Sequence, residues 1–141
     1  MSNTKLAKSN FASLAEMMEA YAKEAVRVAW DDHRQYLDLT EASVDLLEQI
    51  LDGQSADDLD FQTRLWGSYF GEVIRTRFAG EWELSQYPGG GIAAVPTLLI
   101  GGSRLYPLMK VYRRLTLGQA ENLSAFYKMV AARLDQPPPP N

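Results

Sequence analysis

The chain has no cysteine and a single histidine among its 141 residues. Without thiols, disulfides, thiolate zinc sites and cysteine nucleophiles are excluded, and a reducing compartment is compatible with the sequence. Long apolar runs are missing too. No stretch approaches the roughly 18–20 apolar residues that a spanning helix needs. The opening MSNTKLAKSNFASLAEMM meets Glu16 and Glu19 before it builds the run of a signal peptide. The expectation is a soluble, cytoplasmic protein without a membrane partner. Positive charge is in deficit, with a pI near 5.0. That disfavours nucleic acid, because phosphate binding rests on a clustered basic surface.

What is present is ordinary in bulk and uneven in placement. With 46% hydrophobic and 23% charged residues, the composition is that of a globular protein. A chain of this size removes roughly 68–70% of its unfolded surface from water, enough for one core. One α+β domain is therefore expected over 10–135, between a flexible 1–9 and a proline-rich, disordered 136–141. Residues 1–60 hold 5 Lys/Arg against 13 Asp/Glu, a balance of −8, whereas residues 61–141 hold 9 against 5, a balance of +4. Two halves that pack together would partly neutralise each other. An acidic surface offered to a basic protein is the sharper alternative.

Periodicity supplies the elements. Phe11, Leu14, Met18, Tyr21, Ala22, Ala25 and Ala29 recur at three- and four-residue steps, which predicts a helix over about 10–35 with Trp30 extending its buried stripe. Thr40 is a good N-cap for a short helix carrying Val44, Leu47, Ile50 and Leu51, with Gly53 as its C-terminal stop. A third helix over 59–79 reads as amphipathic through Leu65, Trp66, Tyr69, Phe70, Val73, Ile74 and Phe78. Gly67 and Gly71 share a neighbouring stripe. Each costs a helix about 1 kcal/mol relative to alanine, so a second backbone is expected to approach there, the first helix being the expected neighbour.

After Gly80 the period falls to two, so Trp82 and Leu84 should face inward. Thr97–Ile100, Gly101-Gly102 and Ser103–Tyr106 read as a hairpin. A small, largely antiparallel sheet of about three strands results. Pro107 suits a helix first turn, and Leu108, Val111, Tyr112 and Leu115 have helical spacing up to Gly118. A strand pattern over Leu105, Pro107, Met109 and Val111 competes with it. Leu123, Phe126, Tyr127, Val130 and Leu134 mark a last helix, for about five helices in all.

Chemistry is sparse. His33 lacks the further ligands that a metal site needs, and only carboxylates could join it. No serine sits in a nucleophile-elbow pattern. Pro88–Gly91 lacks the following helix and lysine of a phosphate loop. Glu72 is the most informative ionisable group. It shares a helix face with Tyr69 and can pair with Arg75, or with Arg113 or Arg114, and if buried it must be paired. Arg104, Lys110, Arg113 and Arg114, interleaved with Tyr106 and Tyr112, form the densest basic group. They suit either a solvated face or an acidic or phosphate-bearing ligand.

Gly67, Tyr69, Gly71, Glu72, Val73 and Ile74, then Gly80 and Trp82, then Pro107, Val111, Arg113, Arg114 and Gly118 form a pattern. In it the chain resembles a scattered set of small bacterial domains of unknown function. The resemblance implies an α+β fold and carries no catalytic residue.

Two functional classes follow. The first is a non-catalytic protein-binding module, of the kind small acidic immunity proteins represent, using Asp31, Asp32 and Asp38 to meet a basic partner. The second is a small-molecule binder or enzyme with a cleft between the 59–79 helix and the sheet, lined by Tyr69, Glu72, Trp82 and Arg113. No cofactor, metal ligand or catalytic residue is expected.

Overall fold

The computed structural model describes residues 10–55, 57–91 and 93–135. Residues 1–9, expected to be flexible, and the whole proline-rich stretch 136–141, expected to be disordered, lie outside them, as do Ala56 and Ile92. Among the described residues, five α-helices and a three-stranded antiparallel sheet make an α+β fold. Helix α1 (Leu14–His33) begins where Ser13 accepts the Glu16 N–H at 3.1 Å, and ends at Arg34 in the left-handed region, φ 53°. Helix α2 (Glu41–Asp52) is capped by Thr40, which accepts the Ser43 N–H. Its end differs from expectation. Gly53 has φ −93°, so the helix stops without the left-handed glycine turn.

Helix α3 (Leu59–Phe78) is the centre of the molecule. It packs against α1 on one side and α4 (Pro107–Leu117) on the other. Every residue from Leu65 to Ile74 is buried, so the expected amphipathic helix is enclosed all round. The small residues explain it. Gly67 receives α4, where an added Cβ would lie 2.8 Å from the Leu108 Cα. At Gly71 a Cβ would fall on the Trp82 ring, with Pro107 beside it. Ser68 donates to the Met18 sulfur on α1 at 3.4 Å. The close neighbour of both glycines is thus α4 and Trp82, not the first helix.

The helix leaves through Ala79 at φ 57°, and Gly80 lets the Ile100 side chain approach its Cα, 2.6 Å from where a Cβ would stand. The strands β1 (Glu81–Ser85), β2 (Val95–Ile100) and β3 (Ser103–Leu105) follow in spatial order, with Trp82 opposite Leu98 and Ile100 opposite Ser103. Gly101 and Gly102, both at positive φ, make the tight turn between β2 and β3. Trp82 is half-buried, but Leu84 is exposed, because the sheet face covered at Trp82 is open two residues further on.

Residues 107–117 are helix, led by Pro107 and ended by Gly118 at φ 83°. A 3₁₀ turn (Gly118–Glu121) joins α4 to α5 (Leu123–Leu134), whose cap Asn122 accepts the Ala125 N–H at 2.9 Å. One apolar cluster links Ala25, Leu47, Phe70, Leu98, Val111 and Tyr127, so it draws on every helix and on β2. Each large side chain fully buried there contributes on the order of 1.5–3 kcal/mol. Trp30 stays out of it, about half exposed at the end of α1.

Candidate functional site

Glu72 is buried and fully engaged. Arg75 donates to it twice, Nε to Oε2 at 2.5 Å and the second guanidinium nitrogen to Oε1 at 3.1 Å, while the Trp82 indole N–H donates to Oε2 at 2.9 Å. This bidentate pair raises the Arg75 pKa through its hydrogen bonds to Glu72. Its job is structural. The indole ties β1 to α3 while the ring edge fills the space over Gly71. Tyr69, three residues away, points elsewhere. Its hydroxyl accepts the Leu39 N–H at 2.8 Å and lies 2.7 Å from the Ser43 hydroxyl, and burial pushes its pKa up. Arg113 pairs with Glu121 and the Tyr87 hydroxyl on α4's outer face. Of the four residues placed in one cleft, only Glu72 and Trp82 meet.

The tyrosine leads to a different feature. Leu39 holds φ 66°, a left-handed conformation that costs a branched residue about 1–3 kcal/mol. The buried Tyr69–Ser43 pair and Asp38, which accepts the Thr40 hydroxyl and N–H, hold it in place. That hydrogen bonding keeps the Asp38 carboxyl below its ordinary range. The constrained segment carries exposed apolar groups, namely Trp30 (49% exposed), Tyr36 (67%) and Leu39 (41%). Exposed Asp31, Asp32, Asp38 and Glu41 alternate with them. Asp31 pairs with Arg27 one turn back, and the Arg34 guanidinium lies 5.1 Å from the Trp30 ring. Beside this segment Ala22, Val26 and Leu39 line a slot of about 240 Å³, with Glu19, Lys23 and Arg75 around it. Trp30 stands one helical turn beyond Val26.

The four-residue basic group divides. Arg114 turns inward, where it donates to Glu48 at 2.6 Å and to Asp52. Burial works to lower its pKa, and the two carboxylates outweigh that, so it stays firmly charged. Glu48 also accepts the N–H groups of Leu123 and Ser124 at the start of α5, which clasps α2, α4 and α5 together. Arg104, Lys110 and Arg113 instead line a cavity of about 270 Å³ with Tyr87, Tyr106, Glu121 and Phe126.

His33 is half-exposed, edge-on to Trp66 and 3.3 Å from the Gln54 amide nitrogen. Among the described residues no three metal-ligating side chains converge. Sequence reasoning singled out Asp31, Asp32 and Asp38 but missed the outward turn of Trp30, and with it Tyr36 and Leu39 as surface groups. The available signal was Tyr36-Leu37-Asp38-Leu39, a short alternation between two helices in which only Leu37 goes inward. Comparison with family models, curated proteins and solved structures gives no match.

Proposed function

We propose that this chain is a non-catalytic protein-binding module that docks a basic partner through residues 30–41. The observation that carries the reading is the set of exposed Trp30, Tyr36 and Leu39 between exposed acids, on the end of α1 and the loop after it, where Tyr69 supports the strained Leu39 backbone. Aromatic anchors supply most of the energy of an interface. Surrounding carboxylates steer a basic surface and raise the rate of encounter. The adjacent 240 Å³ slot has the size for one anchoring side chain of the partner. An immunity-type role, in which the module covers a basic toxin and neutralises it, fits the same surface. Against a ligand cleft between α3 and the sheet stand the filled contact of Trp82 with Gly71 and the paired state of Glu72.

Affinity capture from the native host followed by titration tests this. The captured protein should be basic. Trp30→Ala combined with Tyr36→Ala should weaken its binding about 30-fold or more, since each anchor carries on the order of 1–2 kcal/mol. Asp31→Asn, Asp32→Asn and Asp38→Asn together should slow association and flatten its dependence on salt. Equal affinity of wild type and the Trp30/Tyr36 variant, or binding insensitive to salt, would overturn the reading.

A further inference from the structure

The cavity at the junction of the β1–β2 connection, β3 and α4 has chemistry of its own. Lys110 and Arg113, three residues apart on α4, project the same way, and Arg104 joins them from β3. Three cations thus face a space whose lining holds one carboxylate, Glu121. Glu83 touches Arg104 from outside at 3.2 Å, in a half-exposed pair of the kind that contributes little. Arg113 meets the Tyr87 hydroxyl, and Glu121 is the carboxylate that serves both Lys110 and Arg113. Its Oε2 accepts from Lys110 at 3.4 Å, while its buried Oε1 faces Arg113 at ion-pair distance without an aligned hydrogen bond.

Burial works to raise the Glu121 pKa, yet Lys110 and Arg113 hold it below the ordinary range. Counting charges, Arg104, Lys110 and Arg113 against Glu121 and the outlying Glu83 leave a positive surplus at the cavity. One wall is aromatic. Tyr87 and Tyr106 meet edge to face at 5.1 Å, and Lys110 sits 5.4 Å from the Phe126 ring.

We propose that this cavity binds small organic phosphates, and that Glu121 is an internal carboxylate holding the place that the phosphate takes. A phosphate monoester brings close to two negative charges and three acceptor oxygens where Glu121 brings one charge and two oxygens. Arg113 and Arg104 match a phosphate's geometry, and Lys110 supplies a point charge. The organic part of the ligand lies against Tyr87 and Tyr106. Glu121 ends a short 3₁₀ turn that starts at Gly118, φ 83°, a conformation open to glycine, so its carboxylate leaves without disturbing α4 or α5.

The full chain, titrated calorimetrically and by NMR with phenyl phosphate and separately with inorganic phosphate, tests this. Phenyl phosphate should shift the Tyr87 and Tyr106 ring resonances of the wild type at millimolar concentration. Glu121→Gln, which removes the competing charge, should tighten its binding about tenfold. Arg113→Ala in the Glu121→Gln background should lose that gain. Inorganic phosphate should bind more weakly than phenyl phosphate, because it leaves the aromatic wall unused. The proposal falls if phenyl phosphate shifts no resonance in either wild type or E121Q. It falls equally if E121Q binds no tighter than wild type, if Arg113→Ala changes nothing, or if only a single-stranded RNA oligonucleotide binds. Arg113 is half exposed, so its variant should fold, and an unchanged melting curve checks that.

Discussion

Gly67 and Gly71 each leave room for something larger than a side chain of their own. Alanine at either position would gain about 1 kcal/mol of helix propensity. At Gly67, however, the new methyl group would meet the α4 backbone at Leu108, which cannot step aside alone. At Gly71 it would meet the Trp82 indole and disturb the hydrogen bond to Glu72. Overpacking costs typically about 1–3 kcal/mol, which at a backbone contact exceeds that gain. We therefore expect Gly67→Ala to lower stability by up to about 2 kcal/mol net in urea denaturation, and an equal or higher midpoint would refute the close approach of α3 and α4. The two glycines were legible as a packing stripe from their four-residue spacing. Which neighbour fills that stripe was not, since spacing within one helix says nothing about the order in which others surround it.

Between elements, the decisive contact is the clasp of Glu48, Asp52 and Arg114. It joins α2 to α4 and to the first turn of α5. Breaking a buried pair strands the partner's charge, so Arg114→Ala should destabilise by roughly 3–5 kcal/mol, whereas Arg113→Ala, at the surface, should leave stability nearly unchanged. Thermal melts of the two variants separate these outcomes, and equal losses would sink the distinction.

The same clasp has a pH signature. The hydrogen bond from Arg114, aided by Gln119, holds the Asp52 carboxyl below its ordinary value of 3.8. A depressed folded pKa stabilises the protein above the unfolded value, and that contribution disappears as pH falls through the folded one. Asp38 and Glu121 shift in the same direction. Denaturation midpoints should therefore drop as pH is lowered below about 4, and Asp52→Asn should make the drop shallower. A pH-independent midpoint between 5 and 2.5 would contradict these assignments. Sequence alone could not separate Arg113 from Arg114. They are adjacent and identical in type, and only the position of α2 decides which one is enclosed.

Over the whole molecule, the acidic and basic halves neutralise each other where α2 meets α4, through Arg114 between Glu48 and Asp52. Of the acids of 30–41, Asp31 pairs with Arg27, and Asp32, Asp38 and Glu41 stand exposed at the surface. The apolar cluster draws on α1 to α5 and on β2, so unfolding should be one cooperative transition. Far-ultraviolet dichroism and the fluorescence of buried Trp66 should give coincident urea midpoints. Separate midpoints would show that the elements do not share one core.

The sequence by itself determined the elements. Helical and two-residue periods, Thr40, Pro107, Gly118 and the Gly101-Gly102 turn are local signals, and the forces behind them act within a few residues of chain. It also determined that Glu72, if enclosed, had to be paired, because an isolated buried carboxylate is too costly to persist. Only the tertiary structure decided which partners were used, since burial depends on what comes from distant parts of the chain. That is why Trp30 stands outside the stripe its spacing assigned to it. It is also why Tyr69 supports the Leu39 backbone instead of lining a cleft, and why Glu121 came to lie between Lys110 and Arg113.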